Sequence, residues 1–179
     1  MLLVAVWAFA EAMLFFIVAD VPISAIGFRY GFRRAAAAAL VAALAAGGGG
    51  LIVKVWASAD PEAYRTVLEH IPGISPGLIS RAVSAYAGDP AGAMLLGSFK
   101  GIPYKLYAYA AGLSGATVLP FFAASIGARL PRFLLVATLS AAVGSALRDR
   151  LTAFRIRLLF LAFWVLFYAV YFTLMAAHG

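Results

Sequence analysis

The sequence predicts an all-α, polytopic integral membrane protein in which two re-entrant helical hairpins and transmembrane helices form an inverted repeat. Three observations lead there. Of 179 residues, 65% are hydrophobic and only 12% charged, a composition that several membrane-spanning helices require and a soluble domain does not. Two apolar stretches nevertheless hold charges: Glu11 and Asp20 within residues 2–28, Lys100 and Lys105 within residues 91–128. Charges at bilayer depth survive mainly where they line a polar cavity or pathway. Each pair also stands near a proline, Pro22 or Pro103, which interrupts a helix by lacking an N–H and by restricting the residue before it. The length suits one domain, residues 1–179.

Residues 1–57 read as a first hairpin plus a span. The chain is apolar from residue 2, without a basic n-region or an obvious A-x-A site, and so reads as mature structure. A single helix over 2–28 is the plain alternative. The two carboxylates, Pro22 and Gly27 favour a helix to about residue 17, a turn near Ala19–Pro22 and a short return to Arg29. Broken backbone at membrane depth is tolerated where protein or a water-filled cavity surrounds it. After the basic cluster Arg29, Arg33 and Arg34 comes an Ala-rich span, 35–57. Gly47 to Gly50 lie inside it and read as close helix packing. No GK[ST] follows them, which excludes a phosphate-binding P-loop.

Residues 58–90 form a polar interval with amphipathic helices. Asp60-Pro61 and Ser75-Pro76 each read as an N-cap followed by the first helical residue. Leu78, Ile79, Ala82, Val83 and Tyr86 share one face of the second helix, which packs on the bundle or on its surface.

Residues 91–147 repeat the design of the first unit. Gly101 and Pro103 break the apolar run near its middle, and Gly112 is counted with them and Pro22 among the hairpin-breaking residues. A long span, 117–146, carries Arg129 and Arg132 around Pro131. Residues 148–179 supply a basic loop (Arg148, Asp149, Arg150, Arg155, Arg157) and an aromatic-rich final helix over 158–176.

Loop charge fits this order. With Arg29, Arg33 and Arg34 in the cytoplasm, span 35–57 crosses outward, the polar interval lies outside, and span 117–146 returns the second basic cluster to the inside. Full crossings by both broken units would also put the clusters on one side, so the prolines and buried charges carry the re-entrant assignment.

Several functions are disfavoured. The net charge is +7, but the basic residues flank apolar segments rather than forming a solvated run, so lipid headgroups explain them better than nucleic acid. Cysteine is absent, and the histidines, His70 and His178, lie in no apolar segment. Thiolate chemistry, a histidine-rich metal site and a histidine-assisted nucleophile are therefore lacking, and neither an enzyme nor a cofactor is expected. A scaffold has no need of four midplane charges.

Residues 9–22, FAEAMLFFIVADVP, and 97–112, GSFKGIPYKLYAYAAG, resemble the paired hairpin motifs of the DedA/VTT (SNARE-associated Golgi protein) superfamily, nearest its YqaA-like branch. The likeness covers roughly residues 5–147 and includes the spacing of Gly112 to Phe121, followed by SIGARLPRF. The family's prolines before the second acid are replaced by Phe16, Ile17 and Val18, Ala116 stands for a bulkier residue, and Lys105 for a common arginine. The resemblance implies a bacterial inner-membrane protein that moves undecaprenyl phosphate or a phospholipid between leaflets, with dependence on the proton motive force. It makes Glu11 and Asp20 the functional acids and Lys100 and Lys105 the functional bases.

The residues read in the same direction. Lys100 and Lys105, helped by Arg129, attract a headgroup phosphate, and Glu11 or Asp20, taken out of water, carries a proton. The partners are then membrane lipids with anionic phosphate headgroups and protons; a homo-oligomer is compatible with this. The bland reading is that the acids simply neutralise the lysines, although buried pairs add little net stability. Arg129 is equally open to snorkelling or binding a backbone carbonyl, and Arg132 is assigned to helix packing. Tyr104, Tyr107 and Tyr109 read as packing or interface aromatics. A proton-coupled transporter of a small ion or osmolyte is the alternative function.

Overall fold

The computed structural model describes residues 1–14, 17–148 and 150–178, with side chains to Thr173. Phe16, Asp149 and the His178 side chain, which figured in the sequence reading, lie outside the described residues. Among those residues the chain is helical, without strands: α1 (Leu2–Met13), α2 (Asp20–Tyr30), α3 (Phe32–Ala59), α4 (Pro61–Glu69), α5 (Pro76–Gly88), α6 (Pro90–Lys100), α7 (Tyr104–Leu113), α8 (Val118–Arg148) and α9 (Ala153–His178).

Three helices are long and apolar enough to cross a membrane: α3, with 28 residues, α8, with 31, and α9, apolar over Ala153–Thr173. At about 1.5 Å per residue, α3 and α8 exceed the roughly 30 Å of a hydrocarbon core. The protein is membrane-integral on this ground. The α9 segment turns large apolar side chains such as Phe163, Val165 and Leu166 outward, as a lipid-facing helix does.

At the centre α3 packs on α8; α1 and α7 pack on α3, and α2 and α6 on α8. Small residues permit this closeness. A Cβ on Gly49 would meet the Phe9 carbonyl oxygen at 2.7 Å, and one on Gly50 would meet the Tyr104 hydroxyl at 2.1 Å. The glycine run is thus a packing surface for α1 and α7, in keeping with the reading from sequence.

The first apolar unit breaks earlier than expected. Helix α1 ends at Met13, and α2 already begins at Asp20. Pro22 sits in the first turn of α2 and is not the break. Its missing N–H is harmless there, because first-turn amides have no intrahelical acceptor to lose. The break is held from afar: the Val18 N–H donates to the Tyr168 hydroxyl at 2.9 Å, and Trp7 Nε1 donates to the Ile17 carbonyl at 3.0 Å.

The second break falls at Gly101 and Pro103. Gly101 takes the left-handed conformation, φ 74°, and both its N–H and that of Ile102 return to the Gly97 carbonyl, closing α6 as a glycine cap does. Pro103 then precedes α7 as its N-cap. Gly112 does not break a hairpin: α7 runs through it to Leu113. A Cβ there would meet the Lys54 carbonyl oxygen at 2.7 Å, so its role is contact with α3.

The polar interval forms as its caps predict. Asp60 accepts from the Ala63 N–H at 3.0 Å and Ser75 from the Leu78 N–H at 3.3 Å. Asp89 repeats the device before Pro90, accepting from the Gly92 N–H at 3.0 Å. Leu78, Ile79, Ala82 and Tyr86 are buried, with Val83 half-buried beside them, and α5 lies on α7. The second basic loop is shorter than expected, because α8 continues to Arg148 and α9 starts at Ala153. Arg155 and Arg157 stand within α9, whose start is held by Thr152 accepting from the Arg155 N–H at 3.4 Å.

Candidate functional site

The acids of the first apolar unit meet two arginines on one face of α8. Arg129 and Arg132 are three residues apart, so both project to the same side of that helix. Arg129 forms an ion pair with Glu11 of α1, and Arg132 forms one with Asp20 of α2. In the first pair the side chains are only 7% and 9% exposed. In the second, Asp20 is 6% exposed and Arg132 27%, so one pair is sealed and the other reaches a margin.

Neighbouring groups fix the arginines. The Arg129 guanidinium lies over the Tyr104 ring at 4.7 Å and the Phe133 ring at 5.0 Å, cation–π contacts that gain strength away from water. The Tyr104 hydroxyl donates to Ser125 Oγ at 2.7 Å, and Ser125 in turn donates to the Phe121 carbonyl at 2.7 Å. Arg132 also donates to the Ser98 carbonyl at 2.8 Å, joining α8 to α6. Asp20 Oδ1 and Arg129 Nε are buried without a hydrogen-bond partner among the described residues. Such orphaned polar atoms are uncommon and call for an explanation.

These groups border a cavity of about 140 Å3. Glu11, Lys105, Arg129 and Arg132 supply its charges. The connection after α4 closes one side with Ile71 and Pro72, and α9 closes another with Phe167 and Tyr168. The final helix and the polar interval therefore help to build the site, a role that sequence reading did not give them.

The expected site residues divide. Glu11, Asp20, Lys105 and Arg129 are buried together in this region. Lys105 stands in the first turn of α7 and lines the cavity. Lys100 ends α6, is exposed, and does not line the cavity. Each acid forms an ion pair with an α8 arginine. Arg132, assigned to packing from sequence, belongs to the site; its signal was the three-residue spacing from Arg129 inside a span. Lys54 is also buried, in α3, but does not line the cavity. No group of three or more His, Cys, Asp or Glu suited to a metal occurs among the described residues.

Comparison of the chain with family models, curated proteins and solved structures finds no match.

Proposed function

We propose that this protein is a membrane lipid translocase, a flippase or scramblase that moves an anionic, phosphate-bearing lipid such as undecaprenyl phosphate or a phospholipid between leaflets. The carrying observation is the charge balance of a buried cavity in a membrane-integral bundle. Lys105, Arg129 and Arg132 line it with Glu11, and Asp20 pairs with Arg132 beside it, three formal positive charges against two negative. An excess cation at membrane depth suits an anion. Planar guanidinium groups bind phosphate bidentately, and lysine binds it as a compact charge. The headgroup would occupy the cavity while its hydrocarbon tails remain in the bilayer.

The paired broken units are read as re-entrant hairpins in an inverted repeat. The helices α1, α2, α6 and α7 have 12, 11, 11 and 10 residues, each too short to cross alone. Their packing corresponds: α1 lies on α3 as α6 lies on α8, and α2 lies on α8 as α7 lies on α3. Transporters built this way hold substrate near the bilayer midplane, where broken helices meet. The basic ends Arg29 and Arg148 share one end of the bundle, which on the positive-inside rule faces the cytoplasm.

Protons enter through the acids. Protonation of Glu11 removes the negative charge opposite Arg129 and frees the guanidinium for phosphate. Deprotonation restores the pair and expels the headgroup.

The test is headgroup-lipid flipping in liposomes. Wild-type protein should move a fluorescent anionic phospholipid, Arg129→Gln and Lys105→Ala should lose that movement, and Glu11→Gln should lose its response to a proton gradient. Wild-type rates in all three variants would sink the reading. Gradient-driven uptake of a soluble cation or osmolyte without lipid movement would favour the small-solute transporter instead.

A further inference from the structure

Two further cavities continue from the central one along α9. The first, about 470 Å3, lies between α2, α8 and α9 and has mostly apolar walls that include Val136, Leu139, Val143, Phe160 and Trp164, with Asp20 also lining it, paired with Arg132. It shares Arg132 and Phe167 with the central cavity. At its other end it shares Phe28 and Phe160 with a cavity of about 520 Å3. That last space is lined by Arg29, Arg148 and Arg157, and none of the described residues lining it is acidic.

We infer that this groove and its basic mouth are a docking site for one phosphate-bearing lipid, with the phosphate among Arg29, Arg148 and Arg157 and a hydrocarbon chain against Val143 and Trp164. The inference rests on the translocase reading and names where the lipid binds before it reaches the central cavity. Charge selects the occupant. Three cations next to an apolar trough match a phosphate joined to a hydrocarbon tail, and basic residues near a membrane surface attract anionic lipid. The trough lies between helices α8 and α9, both membrane spans, so hydrocarbon can enter it sideways. The mouth is distinct from the central site: α8 rises about 24 Å from Arg132 to Arg148. A headgroup passing along the groove exchanges one arginine set for the other, and Arg132 is the first cation it meets.

Trp164 lines the groove and reports directly. The full chain is placed in phosphatidylcholine nanodiscs with small fractions of phosphatidylglycerol carrying brominated chains, which quench nearby tryptophan. The Trp164 signal is the difference between wild type and Trp164→Phe. Quenching should saturate at low phosphatidylglycerol fractions and remain unsaturated with brominated phosphatidylcholine. Arg29→Gln, Arg148→Gln and Arg157→Gln combined should raise the half-saturating fraction at least about tenfold. Because these arginines also bear on insertion, Val143→Phe provides a second variant: it fills the trough, keeps every charge, and should abolish saturable quenching. Equal quenching by both lipids overturns the site, as does displacement by excess inorganic phosphate, which would mark a free-anion site. If quenching fails while Glu11→Gln still alters flipping, the dock is wrong and translocation stands. If quenching holds while no lipid flips, the dock stands and translocation fails.

Discussion

Arg129 and Glu11, 118 residues apart in the chain, form a buried ion pair, with the Arg129 guanidinium over the Tyr104 ring. The pair joins α8 to α1 through the middle of an apolar bundle. Desolvation of both ions offsets most of their attraction, so the pair contributes little net stability, yet removal of one partner strands a buried charge.

That asymmetry gives the first prediction. Glu11→Ala or Arg129→Ala alone should destabilise the protein by about 3–5 kcal/mol. The double variant should be less destabilised than the sum, with a coupling of at least about 1 kcal/mol. Thermal or denaturant unfolding in mild detergent measures the cycle. Additive losses would mean that the two side chains do not act on each other.

The second pair should behave differently. Arg132 is 27% exposed against 7% for Arg129, so some of its charge remains hydrated. Arg132→Ala should therefore cost less stability than Arg129→Ala while still impairing lipid movement. Arg132→Lys should not restore it, because a lysine cannot serve Asp20 and the Ser98 carbonyl with the same fork. Unfolding and flipping measured on the same preparations separate the two effects.

Neighbouring glycines of α3 should respond oppositely. A Cβ on Gly48 would find its nearest atom, in the Phe9 ring, at 3.9 Å, whereas one on Gly49 would meet the Phe9 carbonyl oxygen at 2.7 Å. Gly48→Ala should stabilise by up to about 1 kcal/mol through helix propensity. Gly49→Ala should destabilise by about 1–3 kcal/mol because rigid backbone must move. Melting temperatures of the two variants check this, and equal shifts would contradict the α1–α3 contact.

The first break depends on α9. Tyr168→Phe removes the acceptor of the Val18 N–H, a loss of about 1 kcal/mol. Hydrogen exchange should speed at Val18 and stay unchanged at Ile102, whose N–H is bonded within its own turn to Gly97. Unaltered exchange at Val18 would mean that α9 does not hold the break.

Much of the fold was legible where local chemistry decides it. Asp60-Pro61, Ser75-Pro76 and Gly101 act within one turn of their own positions, so sequence spacing identified them. Pro22 and Gly112 misled for a common reason. A proline is disruptive in a helix interior and harmless in a first turn, and a glycine serves either to break a helix or to admit a neighbour. Which of these holds depends on where the surrounding helices begin and what lies against them.

By itself, the sequence determined that this is a helical membrane protein with two broken apolar units, each carrying misplaced charge. Hydropathy, proline geometry and caps are properties of short segments, and they survive whatever the chain does elsewhere. Only the tertiary structure decided how those charges combine. The packing of α1 on α3, and of α2 and α3 on α8, sets Arg129 on Glu11 and Arg132 on Asp20, while α6 leaves Lys100 at the surface. Pairing follows from distance in space, and distances across 112 and 118 residues are fixed by helix packing that no local pattern encodes.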